Sequence, residues 1–146
     1  MTEFVSEIKT IPHSQQAIYE SLSDLNNIEL FKDQIPGDKI NDFSFDQDSC
    51  SFTVSPVGKV KFLIVERDPP QTIKFIANES PVEVSMWIQL IAVNPEETEM
   101  KLIIMAKLNP FLKPMLSKPL QDGINKIANT LAVVPYDKIM AKKQQN

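Results

Sequence analysis

Residues 82–108 read VEVSMWIQLIAVNPEETEMKLIIMAKL. Val84, Met86, Ile88 and Leu90 alternate along the first part, and Met100, Leu102, Ile104, Ala106 and Leu108 along the second. Successive side chains of an extended strand point to opposite faces, so each run is one apolar face of a strand. The NPEE stretch (94–97) between them carries turn chemistry and is too short to hold a crossover helix. The two strands must therefore lie antiparallel.

Upstream, the same period holds from Asp38 onward. Phe43 and Phe45 form one alternation, and Cys50, Phe52 and Val54 the next. Val60, Phe62 and Ile64 follow, then Ile73, Phe75 and Ala77. DQDS (46–49), PVG (56–58), DPPQ (68–71) and NESP (78–81) punctuate them with turn residues. Six short strands joined this tightly make an antiparallel meander. Ahead of the meander, TEFVSEIKTI (2–11) reads as a first strand that Pro12 stops. Ser14 has N-cap chemistry for a helix over QQAIYESL, where Ala17, Ile18, Ser21 and Leu22 recur at helical spacing. A second short helix is expected over DLNNIELFKDQ, with Leu25, Ile28 and Phe31 on one side and Pro36 and Gly37 as its end.

Downstream comes LNPFLKPMLSKPL (108–120). Asn109 suits an N-cap and Pro110 the first helical position. Pro114 lacks an N–H and restricts Lys113, which predicts a break after one turn. Ser117 then caps a second start, and one long helix is expected from about 118 to 134. Its apolar stripe is Leu120, Ile124, Ile127, Leu131 and Val134, thickened by Ala128, and Pro135 ends it. Segment 109–117 would form a bent apolar flap, with Phe111, Met115 and Leu116 over the open end of the sheet, either as a gate or as a plug. AKKQQN (141–146) is polar and is expected to fray. The order strand, helix, helix, six strands, long helix defines an α+β class: a curved antiparallel sheet of about seven strands around a C-terminal helix, in a single domain over residues 1–140.

Bulk properties exclude several function classes. A chain of 146 residues suits one domain with one sizeable core. Net charge is −4 with no basic stripe, which argues against a nucleic-acid partner. The longest apolar runs fall far short of the roughly 20 residues that span a bilayer, so no stable membrane insertion is expected. MTEFVSEIKT lacks the apolar core of a signal peptide, and the sole cysteine, Cys50, allows no intrachain disulfide, so a cytoplasmic setting is the simplest inference. One histidine and one cysteine do not supply the three or four converging ligands of a metal site. No nucleophile–base pair or glycine-rich phosphate loop is visible, and no cofactor is expected. The reading therefore leans away from an enzyme.

Single residues carry further expectations. His13, in the turn IPHS, is expected in solvent. Cys50 shares the phase of Phe52 and reads as a small buried hydrophobe. Glu66 has two readings. If the alternation of Phe62 and Ile64 continues, it lies on an interior wall with a raised pKa as a general acid or base; otherwise it sits in water beside Arg67. Trp87, Ile91 and Val93 fall on the opposite sheet face, to be covered either by the helices after Pro12 or by a partner subunit in a homodimer.

The segments IPHSQQAIYESLSDLNNIELF (11–31) and VERDPPQTIKF (65–75), with the closing helix after 118, resemble the START / polyketide-cyclase superfamily, whose helix-grip fold is shared with birch-pollen-allergen-like proteins. Phe31 stands where many members carry tryptophan. The resemblance implies a cavity between the sheet and the C-terminal helix that holds a hydrophobic small molecule or lipid. Its lining would come from Phe52, Val54, Phe62, Ile64, Phe75, Met86, Ile88, Leu102 and Ile104 on the sheet, and from Phe111, Met115, Leu116, Leu120, Ile124 and Ile127 on the closing segment. The family includes lipid carriers, hormone-binding proteins and aromatic polyketide cyclases, and it has no shared catalytic motif. Three readings stay open: a binding or carrier protein, a cyclase- or hydratase-type enzyme using the same cavity, or a filled-core interaction domain.

Overall fold

A computed structural model describes residues 1–30, 32, 40–54, 58–77 and 82–144. The expected turns at 56–57 and 78–81, the helix end at Pro36–Gly37, and Phe31 lie outside the described residues. The described elements are β1 (Thr2–Val5), β2 (Lys9–Ile11), α1 (Gln15–Leu22), a 3-10 helix (Leu25–Leu30), β3 (Ile40–Phe45), β4 (Ser49–Val54), β5 (Gly58–Asp68), β6 (Thr72–Ala77), β7 (Glu83–Asn94), β8 (Glu97–Lys107), α2 (Leu112–Ala132) and α3 (Tyr136–Gln144). The sheet is antiparallel, in the order β1-β8-β7-β6-β5-β4-β3, with β2 also on β8. The meander from β3 to β8 matches the sequence expectation, and the first strand closes the sheet on the far side of β8.

That first strand is interrupted. Val5 pairs with Ile103 but Lys9 with Met100, so the edge carries one residue more than β8 over the same span. This is a bulge, and it reverses the phase. Phe4 and Ile11, seven positions apart, are both buried in the core, which a regular strand would forbid. Ser6 bridges the gap: its N–H donates to the Leu102 carbonyl, and its Oγ accepts from the Leu102 N–H, both at 2.9 Å.

The helices start where capping chemistry allows. Ser14 accepts from the Ala17 N–H at 3.1 Å, and α1 buries Ile18, Tyr19, Ser21 and Leu22. At the start of α2 the structure corrects the expected break. Asn109 Oδ1 accepts from the N–H groups of Phe111 and Leu112, and its carbonyl accepts from Leu112 and Lys113. Pro114 is then third in the helix, where an N–H has no intrahelical acceptor in any case. Ser117 does not cap a second start; its Oγ donates to the Lys113 carbonyl inside a continuous helix, which also runs through Pro119. Met115, whose carbonyl loses its usual donor at Pro119, sits at an exposed position open to solvent.

The C-terminal end carries a further helix that the sequence reading does not give, and residues 141–144, expected in a polar tail, are the last of α3. Tyr136 and Ile139 are fully buried, and the Tyr136 hydroxyl donates to the Leu131 carbonyl at 2.6 Å. That carbonyl is among the last of α2, and the bond satisfies it. α3 packs against α1, which in turn packs against β7. Leu116, Ile124, Ala128 and Leu131 of α2 share one core with the inner faces of β5 to β8.

Candidate functional site

The inner face of the sheet is not uniform. α2 runs beside β8, β1 and β2. On β3 to β6 the inner face carries phenyl rings. Phe43 stacks on Phe52 with ring centroids 5.5 Å apart; Phe62 lies 6.0 Å from Phe52 and 6.4 Å from Phe75. The register explains the ladder. Phe52 pairs with Val60 and Ile64 with Phe75, so the rings meet across diagonals between neighbouring strands, within the reach of large side chains. Offset and edge-on contacts of this kind suit the ring quadrupoles.

Of the expected lining residues, Phe52, Phe62, Ile64, Phe75, Met86, Ile88, Leu102 and Ile104 are buried on this face, and Leu116 and Ile124 are buried opposite them on α2. Leu120 and Ile127 are half-buried against the same core. For Val54 the description covers only its backbone, the last residue of β4. Phe111 and Met115 depart from the expectation: they are 84% and 66% exposed and line no interior. The continuous helix turns them outward, whereas a broken start would have let them fold over the sheet. A separate, open groove of about 290 Å³ lies at the opposite end of β7, among Gln15, Gln71, Thr72 and Gln89, none of them an expected lining residue.

A second bulge decides between the two readings of Glu66. Ile64 pairs with Phe75 but Glu66 with Lys74, so one extra residue shifts the phase at Val65. Glu66 thereby moves to the outer face beside Lys74 and is exposed. The inward phase passes to Arg67, which pairs with inward-facing Ile73 but is itself exposed at this end of β5. Arg67 donates through Nε and Nη2 to the Ser23 carbonyl at 3.1 and 2.9 Å, and through Nη2 to Asp48 Oδ1 at 2.7 Å. It thus fastens the C-terminal end of α1 to the β3–β4 turn, where a cation also complements the helix dipole.

Close to Arg67 is a group that sequence reasoning missed. The Tyr19 hydroxyl is shielded from solvent and, among the described residues, is the buried side-chain polar atom without a hydrogen-bond partner. Burial raises its pKa; the Arg67 charge lowers it and Asp68 raises it. Buried polar groups are nearly always paired, so an orphan hydroxyl calls for an explanation. No signal in QQAIYESL marks it, because tyrosine on an apolar helix face reads as core.

His13 is not free in solvent as expected. It lies edge-on to Tyr136, with ring centroids 5.6 Å apart, and its carbonyl accepts from Thr98 Oγ1 at 2.8 Å. Cys50 is half-buried against the core; burial, and then the Asp46 carboxylate, push its thiol up to about 12, so it stays protonated at neutral pH. Trp87 lies on the outer face, with Lys74 Nζ 5.3 Å from its ring centre. The helices after Pro12 do not cover it, because Ile18 and Leu22 of α1 belong to the core on the inner side, while Ile91 and Val93 remain exposed. Among the described residues no group of three or more His, Cys, Asp or Glu side chains is placed to hold a metal, and no helix is long and apolar enough to cross a membrane.

No protein-family model matches the chain, and no curated protein matches it by sequence. Solved structures do match. Norcoclaurine synthase from Thalictrum flavum, in complex with dopamine and hydroxybenzaldehyde, superposes with a TM-score of 0.68 at 15% identity, over 90% of this chain and 85% of that one. A conserved protein from Geobacillus kaustophilus gives 0.63 at 16% identity, over 97% and 96% of the two chains. A START superfamily protein from Mycobacterium smegmatis gives 0.60 at 12% identity, over 89% and 94%. With its curved, unclosed antiparallel sheet gripping a long C-terminal helix, the chain has the START / birch-pollen-allergen-like helix-grip fold.

Proposed function

We propose that this protein binds and carries a hydrophobic small molecule or lipid in the cytoplasm, held between the aromatic face of β3 to β6 and helix α2. The ladder Phe43–Phe52–Phe62–Phe75 carries this reading, because it lies on strands other than those α2 runs beside. A ligand there gains about 25 cal/mol for each Å² of apolar surface it removes from water. Apolar sites usually add a few polar groups that fix orientation. The unpaired Tyr19 hydroxyl supplies one, donating to a carbonyl, ether or carboxylate oxygen of the ligand. The same fold holds two small aromatic molecules in the Thalictrum enzyme, which supports a ligand of that general size.

Native mass spectrometry of gently purified protein, followed by titration with a fluorescent fatty acid, tests the proposal. The expected result is a co-purifying hydrophobe and one saturable site on the folded chain, with affinity changed several-fold by Phe62→Leu. A chain that releases no hydrophobe and binds no fluorescent fatty acid overturns it.

A further inference from the structure

The outward turn of Phe111 and Met115 leaves two large apolar side chains in water at the start of α2. They are four residues apart and therefore share one face of the helical turn. Pro110 and Pro114 beside them are exposed as well. Along the chain, the charges around them have one sign. No carboxylate occurs between Glu99 and Asp122, whereas Lys107, Lys113 and Lys118 all fall within this stretch and are exposed. Described acids lie at the margins: Glu83 across the sheet from Lys107, Glu3 on β1 across from Met105, and Asp122 one turn beyond Lys118. In a chain of net charge −4, this is a local reversal.

We infer that the start of α2 docks on an anionic bilayer surface, with Phe111 and Met115 entering the headgroup–acyl boundary and Lys107, Lys113 and Lys118 resting on acidic headgroups. Shallow insertion of apolar knobs rimmed by lysines is how peripheral segments hold to membranes without spanning them. A second copy of the chain fits less well. Two side chains and two prolines offer on the order of a few hundred Å², below the roughly 800 Å² per partner of a stable interface. The inference deepens the carrier reading by naming where a lipid would be collected. Docking itself requires no cargo, so vesicle binding and fatty-acid binding fail separately.

Flotation with vesicles of phosphatidylcholine alone, and of phosphatidylcholine with about one-third phosphatidylserine, tests the docking. Binding to the anionic vesicles should be about tenfold tighter or more and should weaken as salt rises. Phe111→Ser with Met115→Ser should abolish it while circular dichroism stays native, since both side chains are exposed. Lys113→Glu with Lys118→Glu should weaken it by more than about tenfold, each lysine near the surface being worth about fivefold. Phe111→Trp should retain binding and show blue-shifted emission on anionic vesicles. Equal binding to both vesicle types overturns the inference, as does unchanged binding by the double serine variant. A concentration-dependent dimer that the serine substitutions dissolve would also overturn it, giving the patch to a second copy.

Discussion

The two flanks of the sheet meet the rest of the molecule in different ways. On one flank, β8, β1 and β2 lie beside α2, and Met100, Leu102, Ala106 and Ile124 are fully buried. On the other, β3 to β6 turn phenyl rings inward, and those rings contact one another in a continuous ladder within the same core. The first flank is close-packed core. The second builds its own apolar wall from diagonal ring contacts. On the proposed function, one curved sheet offers a gripping half and a lining half, and the ligand would lie where they face each other.

This contrast breaks if the two halves respond alike to substitution. Ile124→Ala, in the gripping half, should cost about 2–5 kcal/mol, read as a lowered urea midpoint. Tyr136→Phe comes next. It removes the donor to the Leu131 carbonyl and leaves that carbonyl buried, at a cost of about 1–3 kcal/mol. Phe62→Leu, in the lining half, should cost less than about 1.5 kcal/mol, since it roughly keeps volume. Its main effect should be on fatty-acid affinity. If Phe62→Leu destabilises as much as Ile124→Ala and leaves fatty-acid affinity unchanged, the ladder is a core and the two halves are one.

A pH titration sharpens the same contrast. The folded-state pKa of Cys50 is raised to about 12, so folding favours the protonated thiol. The unfolded chain loses that proton near pH 8.5. The stability contributed is therefore full below about pH 8.5 and is lost as pH climbs toward 12. Stability of the native chain should fall over this window, and Cys50→Ala should flatten part of the fall. Tyr136 and Tyr19, whose pKa values burial also raises, contribute to the remainder.

How much of this was legible in the sequence follows from the period of two. The meander from β3 to β8 was readable, because Met86, Ile88, Leu102 and Ile104 alternate without interruption. The aromatic ladder was half-readable: Phe52, Phe62 and Phe75 each fall in phase, but their meeting depends on register, which no single strand encodes. The bulges at β1–β2 and at Val65, two of the register shifts in the described sheet, were not readable. Neither the one between Val5 and Lys9 nor the one at Val65 carries a glycine or proline, and each flips every later side chain to the other face. That flip is why Glu66, and not Arg67, was the candidate wall residue. α3 was missed because Tyr136, Ile139 and Met140 are too few apolar positions to stand out from the lysines and glutamines around them. The start of α2 was misjudged for a different reason. The regular helix begins at Leu112, so Pro114 is its third residue and falls among those whose N–H groups have no intrahelical acceptor.

The smallest expected stability effect is the most informative about function. Tyr19→Phe deletes a buried hydroxyl that has no partner among the described residues, so nothing is left unsatisfied behind it. Burying an unpaired hydroxyl is costly, and removing it should leave stability unchanged or raise it by up to about 1 kcal/mol. Tyr136→Phe, the same chemical change at a fully buried tyrosine, should do the opposite because its hydroxyl is spoken for. The ligand reverses the sign at Tyr19. If that hydroxyl anchors a polar atom of the cargo, Tyr19→Phe should weaken a fatty acid by about tenfold, roughly the worth of one hydrogen bond to a charged group. The binding of a hydrocarbon without polar atoms should be unaffected. Thermal melts of the two variants beside titrations with both ligands give the four numbers. Equal losses for the acid and the hydrocarbon would place the Tyr19 ring, and not its hydroxyl, against the ligand.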